Sequence, residues 1–228
     1  MNIVSLINRI IEKNKNGSAW ELWQNKWDDN KVDRIWGEKL RNEDWEKDPT
    51  YKLIAEKCVK NGTNILDIGS GGGVQYRAIK EYADRISYTG LDITPRHIEF
   101  SRKMFPEARF ELGDAANLPF NDKEFDVSII RHVIEHHPKD KAEKILAESL
   151  RVSKNCVLIL FFIPPIEMQE DIIIKRKKSG FFLNTYNRDF IINTIKMNVK
   201  NPKINQEMIF KTESSPALSD QELYIIKL

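Results

Sequence analysis

Residues 65–73 read ILDIGSGGG, an apolar run that breaks into glycines before a helical pattern takes over. A buried strand that ends in a glycine turn and feeds a helix is the opening unit of a parallel βαβ sheet, since parallel strands need a long crossover connection. Two further apolar segments end on acids, Leu91-Asp92 and Gly113-Asp114, so that with Asp67 three carboxylates surround one turn. Their charge argues about the ligand. The pyrophosphate of a dinucleotide wants a bare helix N-terminus with few anionic neighbours. A pocket ringed with carboxylates suits a cationic ligand rich in hydroxyl and amine donors. The spacing agrees: the dinucleotide pattern G-x-G-x-x-G needs a glycine where Val74 stands, and Gly69, Gly71 and Gly73 run G-x-G-x-G instead. Asp92 lies 19 positions beyond Gly73, where a βαβ unit presents an acid to a ribose diol.

On these residues the chain resembles the class I S-adenosylmethionine-dependent methyltransferases. DIGSGGG is similar to their first motif, LDIT (91–94) to the acidic second, GDAANLPF (113–120) to the third, and FDVSIIRHVIEHHP (125–138) to the segment around their fourth strand. The likeness is strong over about residues 62–163 and thin outside them. It implies a Rossmann-like, doubly wound α/β fold, with a mostly parallel seven-stranded sheet whose last strand is antiparallel. It also implies a cofactor, S-adenosylmethionine, leaving as S-adenosylhomocysteine. Gly69, Ser70, Gly71 and Gly73 would face its methionine end, with Asp67 beneath them. Asp92 would accept both ribose hydroxyls, Ile93 would pack on the adenine, and Asp114 with the Ala115 N–H would take the adenine edge. Arg131 would lie beside the sulfonium carbon, its guanidinium binding an acidic acceptor or pairing with Asp126.

Attack by a hydroxyl on an activated methyl needs a proton acceptor, a role that suits histidine near neutral pH. Of four histidines, His132, His136 and His137 follow the fourth strand. His132 and His136 are the candidate catalytic residues; strand alternation sends His132 to the face opposite Arg131. No metal site is expected of these histidines, nor of the two cysteines, Cys58 and Cys156.

Net charge is +2 and the longest apolar run, 156–163, has eight residues, so neither a nucleic-acid footprint nor a membrane span is expected. The N-terminus does not read as a signal peptide, and a cytoplasmic location follows as the expectation. One basic run, residues 175–178, reads as an exposed turn or as a contact for an anionic substrate.

The five tryptophans all fall within the first 45 residues, with Trp20, Trp23 and Trp27 on one helical face. That face docks a cap onto the core, or its rings line a pocket for a flat or sugar-like acceptor. The expected organisation is therefore a helical cap over residues 1–60 and a Rossmann-like domain over 61–228, with a substrate loop at about 164–184. Beyond the loop, 185–195 is a helix, and 208–212 with 223–228 form a terminal hairpin. The reading that follows is an O-methyltransferase of a small molecule or glycan. Two alternatives stand beside it: an RNA or protein methylase using the basic run, and a cofactor-binding subunit without chemistry.

Overall fold

A computed structural model describes residues 29–163, 171, 184–209 and 220–228. The chain enters through short helical turns, Asp29–Val32, Asp33–Gly37 and Glu38–Arg41, the middle one a π-turn. Helix α1 (Pro49–Val59) follows, its first turn closed by the Asp48 side chain and its proline at a position where no N–H is needed. Then come β1 (Asn64–Ile68), α2 (Val74–Lys80), β2 (Ser87–Asp92), α3 (Pro95–Met104), β3 (Arg109–Leu112) and β4 (Phe125–Arg131). The chain closes with α4 (Lys139–Val152), β5 (Ser153–Ile163), α5 (Arg188–Asn198), β6 (Lys203–Ile209) and β7 (Asp220–Lys227).

The seven strands form one sheet in the order β3-β2-β1-β4-β5-β7-β6. The pairings from β3 through β5 are parallel, while β7 runs antiparallel to both β5 and β6. The expected fold is thus the observed one, a mostly parallel sheet with an antiparallel last strand. Successive residues of β5 alternate between two cores, as period-two geometry requires of a strand covered on both sides. Val157, Ile159 and Phe161 pack with Ala142, Ile145 and Leu146 of α4 and Ile191 of α5. Cys156, Leu158 and Leu160 face the other way, in the core that contains Ile54 and Cys58 of α1 and Ala78 and Ile79 of α2.

Helix α2 begins at Val74, beyond the glycines, because Gly71 and Gly73 hold φ of +53° and +78°, which no right-handed helix accommodates. Strand β6 starts at Lys203, earlier than expected, and pairs with β7 over seven residue positions. Trp20, Trp23, Trp27, the basic run and nearly all of the expected substrate loop lie outside the described residues. Among the described residues no helix is long and apolar enough to cross a membrane.

Trp45 ties the N-terminal segment to the core. Its side chain is fully buried among Tyr51, Ile54 and their neighbours, with the Arg77 guanidinium 5.5 Å from its ring. Replacing it by alanine is expected to lower stability by about 3–5 kcal/mol, as read from chemical denaturation, by removing the largest side chain of that core.

Candidate active site

The strand order reverses between β1 and β4, and in such sheets ligands bind beyond the carboxyl ends of the strands at that point. A cavity of about 270 Å³ lies there. It is lined by the glycine turn after β1, the ends of β2 and β4, the turn after β4, and Ile35, Trp36 and Tyr51 from the N-terminal segment and α1.

On one side of the cavity the glycine turn is shaped by its neighbours. Gly69, at φ +78°, has no room for a Cβ, which would strike the Val133 side chain, and Gly71 lies under the Trp36 ring. The Gly69 and Ser70 amides both donate to the Leu91 carbonyl, at 2.7 and 3.0 Å, which pins the turn to the end of β2. Asp92, only 7% exposed, is held by three donors. Its Oδ2 accepts from the Gly71 amide at 2.9 Å, and its Oδ1 accepts from the Thr94 amide at 2.8 Å with His97 Nδ1 3.2 Å away. Burial pushes its pKa up, but His97 and the two amides outweigh burial and hold it below the ordinary carboxylate range. Asp67 has the opposite balance. Buried at the end of β1, it accepts one bond from the Tyr88 hydroxyl at 2.6 Å, and desolvation raises its pKa to about 6. Ser70 Oγ is buried at the cavity without a hydrogen-bond partner.

The opposite wall comes from β4 and the turn beyond it. Arg131 does not pair with Asp126, whose carboxylate accepts from the Thr63 and Asn64 amides. Its guanidinium reaches Asp48 at 2.6 Å, Thr50 at 2.9 Å and the Tyr51 hydroxyl at 3.1 Å, while lying 3.8 Å from the centre of the Tyr51 ring. Asp48 therefore has two tasks, capping α1 and latching that helix to the end of β4.

Strand alternation does not carry through to His132. Its φ of +53° places it in the left-handed region, so the chain turns there and both Arg131 and His132 line the same cavity. The His132 ring stacks on Phe162 with centroids 4.5 Å apart, and its Nδ1 lies 2.7 Å from Oε1 of the fully buried Glu135. Burial lowers the His132 pKa below the usual imidazole range, outweighing the attraction of the carboxylate. Glu135, which burial alone would push up, is brought below its ordinary value by the bond from His132. The pair is thus a neutral imidazole on an ionised carboxylate. Nδ1 carries the proton, and Nε2 is the acceptor nitrogen.

Residues from beyond the sheet's midpoint brace this turn. The Asn184 amide donates to the Glu135 carbonyl at 2.8 Å, and the Asn184 side chain and Tyr186 hydroxyl both donate to the His137 carbonyl. His137, pushed down to about 4 by burial and by Lys141, is neutral. Among the described residues no group of three His, Cys, Asp or Glu side chains is arranged to hold a metal ion.

The cavity gathers Asp67, Gly69, Ser70, Gly71, Asp92, Arg131, His132 and His136 from the residues singled out in the sequence. Gly73, Ile93, Asp114 and Ala115 are not among its lining. Asp114 closes a turn by accepting from the Ala116 amide at 2.9 Å and pairs with Lys141 at 3.1 Å. Sequence reasoning missed Glu135, His97 and Trp36. Only Glu135 carried a local signal, its spacing of three from His132 in a turn.

Residues 65–155 match the family model described as a methyltransferase domain. Over that core the chain is similar to S-adenosylmethionine-dependent methyltransferases. The chain is 32% identical over 117 residues to a demethylmenaquinone methyltransferase of Thermotoga maritima, covering 50% of each chain. It is 36% identical over 102 residues to a phthiotriol/phenolphthiotriol dimycocerosates methyltransferase of Mycobacterium leprae, covering 42% of this chain and 37% of that one. The chain thus spans half or less of the length of these curated relatives. In fold it is similar to the 1,6-didemethyltoxoflavin-N1-methyltransferase of Burkholderia thailandensis, solved with its substrate and S-adenosylhomocysteine. The TM-score is 0.64 at 12% identity, over 94% of this chain and 92% of that one.

S-adenosylmethionine is the cofactor of this family, and the residues present fit it. Two carboxylates face a cavity floored by glycines that admit no side chain, which suits a ligand with donor groups that must approach bare main chain. The raised pKa of Asp67 carries a consequence for the protein alone. Its folded state holds the proton to about pH 6, whereas an unfolded aspartate releases it near 4, so stability falls as pH rises between those values. Asp67→Asn is expected to remove this contribution, on the order of 2–3 kcal/mol, from the wild-type stability-versus-pH curve measured by denaturation without ligand.

Proposed function

We propose that this protein is a methyltransferase that transfers the methyl group of S-adenosylmethionine to a hydroxyl of a small-molecule acceptor, with His132 as the general base. The single observation that carries the reading is the His132–Glu135 pair, 2.7 Å apart, at a cavity shared with the glycine turn. The small-molecule acceptor draws support from the relatives' names, which include ajmaline and norajmaline N-methyltransferases of Rauvolfia serpentina. Oxygen rather than nitrogen as the acceptor atom is favoured by a poised base, since a hydroxyl needs its proton removed as attack proceeds and a free amine does not.

When bound, the cofactor supplies a methyl group already activated on a sulfonium. The protein's tasks are then to position, to exclude water and to move one proton. Asp92 and the glycine turn would hold the nucleoside, and Asp67 would lie toward the ligand's ammonium. Trp36 and Tyr51 cover the cavity from the N-terminal side. Positioning of this kind supplies on the order of 7–11 kcal/mol when the fit is close. Glu135 fixes the His132 tautomer, so that Nε2 can take the acceptor's proton, and stabilises the imidazolium that forms. Burial keeps His132 neutral, and hence competent, at neutral pH.

His132→Ala is expected to reduce turnover by about 10²–10⁴-fold while S-adenosylhomocysteine affinity stays near wild type. Turnover is read as S-adenosylhomocysteine release across a panel of phenols, sugars and hydroxy acids; an undiminished rate would remove the base from this reading. Asp92→Ala should instead abolish detectable calorimetric binding of S-adenosylhomocysteine. Tight binding by wild type with no turnover on any acceptor would favour the cofactor-holding subunit.

A further inference from the structure

The inner face of α3 holds both backbone groups of one residue of the glycine turn, Gly71: its carbonyl directly and its amide through Asp92. His97 and Ser101 lie four residues apart on this face, both buried. Ser101 Oγ donates to the Gly71 carbonyl at 3.0 Å, and His97 Nδ1 lies 3.2 Å from the carboxylate that receives the Gly71 amide. The His97 ring also meets Trp36 edge-on, with centroids 5.7 Å apart at 88°, and Trp36 in turn covers Gly71 and Gly72. His97 is therefore the side chain that joins α3, the end of β2 and the N-terminal segment at one carboxylate.

A carboxylate offers about four acceptor positions. The Thr94 amide and His97 engage Oδ1, and the Gly71 amide takes one position on Oδ2. Spare capacity is thus concentrated on Oδ2, beside the glycine turn. Two of the three donors are backbone amides placed by the fold. His97 is the one side-chain donor, and it restrains the rotation that would carry Oδ2 away from the cavity.

We propose that His97 is a positioning residue for the ribose of the cofactor, acting through Asp92 by fixing which carboxylate oxygen faces the cavity. This rests on the reading of Asp92 as the ribose acceptor. A protein lacking the His97 N–H keeps the acid but loses its aim, so affinity falls for ligands that have ribose hydroxyls and little for ligands that lack them.

The test is the calorimetric affinity of wild type, His97→Leu and His97→Asn for S-adenosylhomocysteine and for its 2′,3′-dideoxy analogue. Wild type is expected to prefer the hydroxylated ligand by about tenfold or more, the scale of one or two hydrogen bonds to a charged group. In His97→Leu that preference should collapse toward one, through loss of affinity for S-adenosylhomocysteine alone. A purely structural role would weaken both ligands equally. His97→Asn, which keeps a side-chain N–H donor on a shorter side chain, should retain most of the preference. A wild-type preference surviving intact in His97→Leu overturns the role of His97 and leaves the ribose reading standing, as does an asparagine variant no better than the leucine one. A wild-type preference near one overturns the ribose reading and this proposal with it.

Discussion

Burying negative charge at the carboxyl edge of the sheet is the constraint around which the rest of this molecule is arranged. A desolvated carboxylate is tolerated only where hydrogen-bond donors replace the lost water. Asp92 recruits two backbone amides and an imidazole, and that requirement dictates the shape of the glycine turn, the start of α3 and the buried histidine on its first turn. Asp67 has one hydroxyl partner and stays proton-prone. Two acids at the ends of adjacent strands thus answer to pH differently because one is surrounded by donors and the other is not.

The same logic runs through the opposite wall. Arg131 and Asp48 come from positions 83 apart and neutralise one another behind the cavity wall that Arg131 helps to form, with the Tyr51 ring against the guanidinium. Each is partly buried, with side-chain exposures of 15% and 25%, so the pair is screened less than a surface bridge. The N-terminal segment is consequently part of the site, contributing Trp36 and Tyr51 to its walls.

Local pattern made the scaffold legible. The strand that breaks into glycines, the proline-led starts of α1 and α3 and the amphipathic stripe of α4 each depend on neighbours in sequence, and α4 runs over Lys139–Val152 as its stripe implies. Contacts made across the fold were not legible. Of the two roles open to Arg131, pairing with Asp126 does not form, and its partner Asp48 was not foreseen because it comes near only once α1 docks. The aim of His132 was misjudged because one residue at φ +53° ends the alternation on which the inference rested. His97 passed unnoticed because a lone polar residue on a helix's inner face gives no sign of the buried acid it meets. Glu135 was hidden within a motif whose neighbouring histidines drew the attention.

The two walls of the cavity have separate ancestry in the chain. The glycine-turn wall is made by β1, β2 and the turn between β1 and α2, whereas the imidazole turn is propped from behind by Asn184 and Tyr186, which come much later in the chain. With such a partition, a substitution that loosens the imidazole wall can leave the glycine-turn wall in place, because the two are anchored by different stretches of chain.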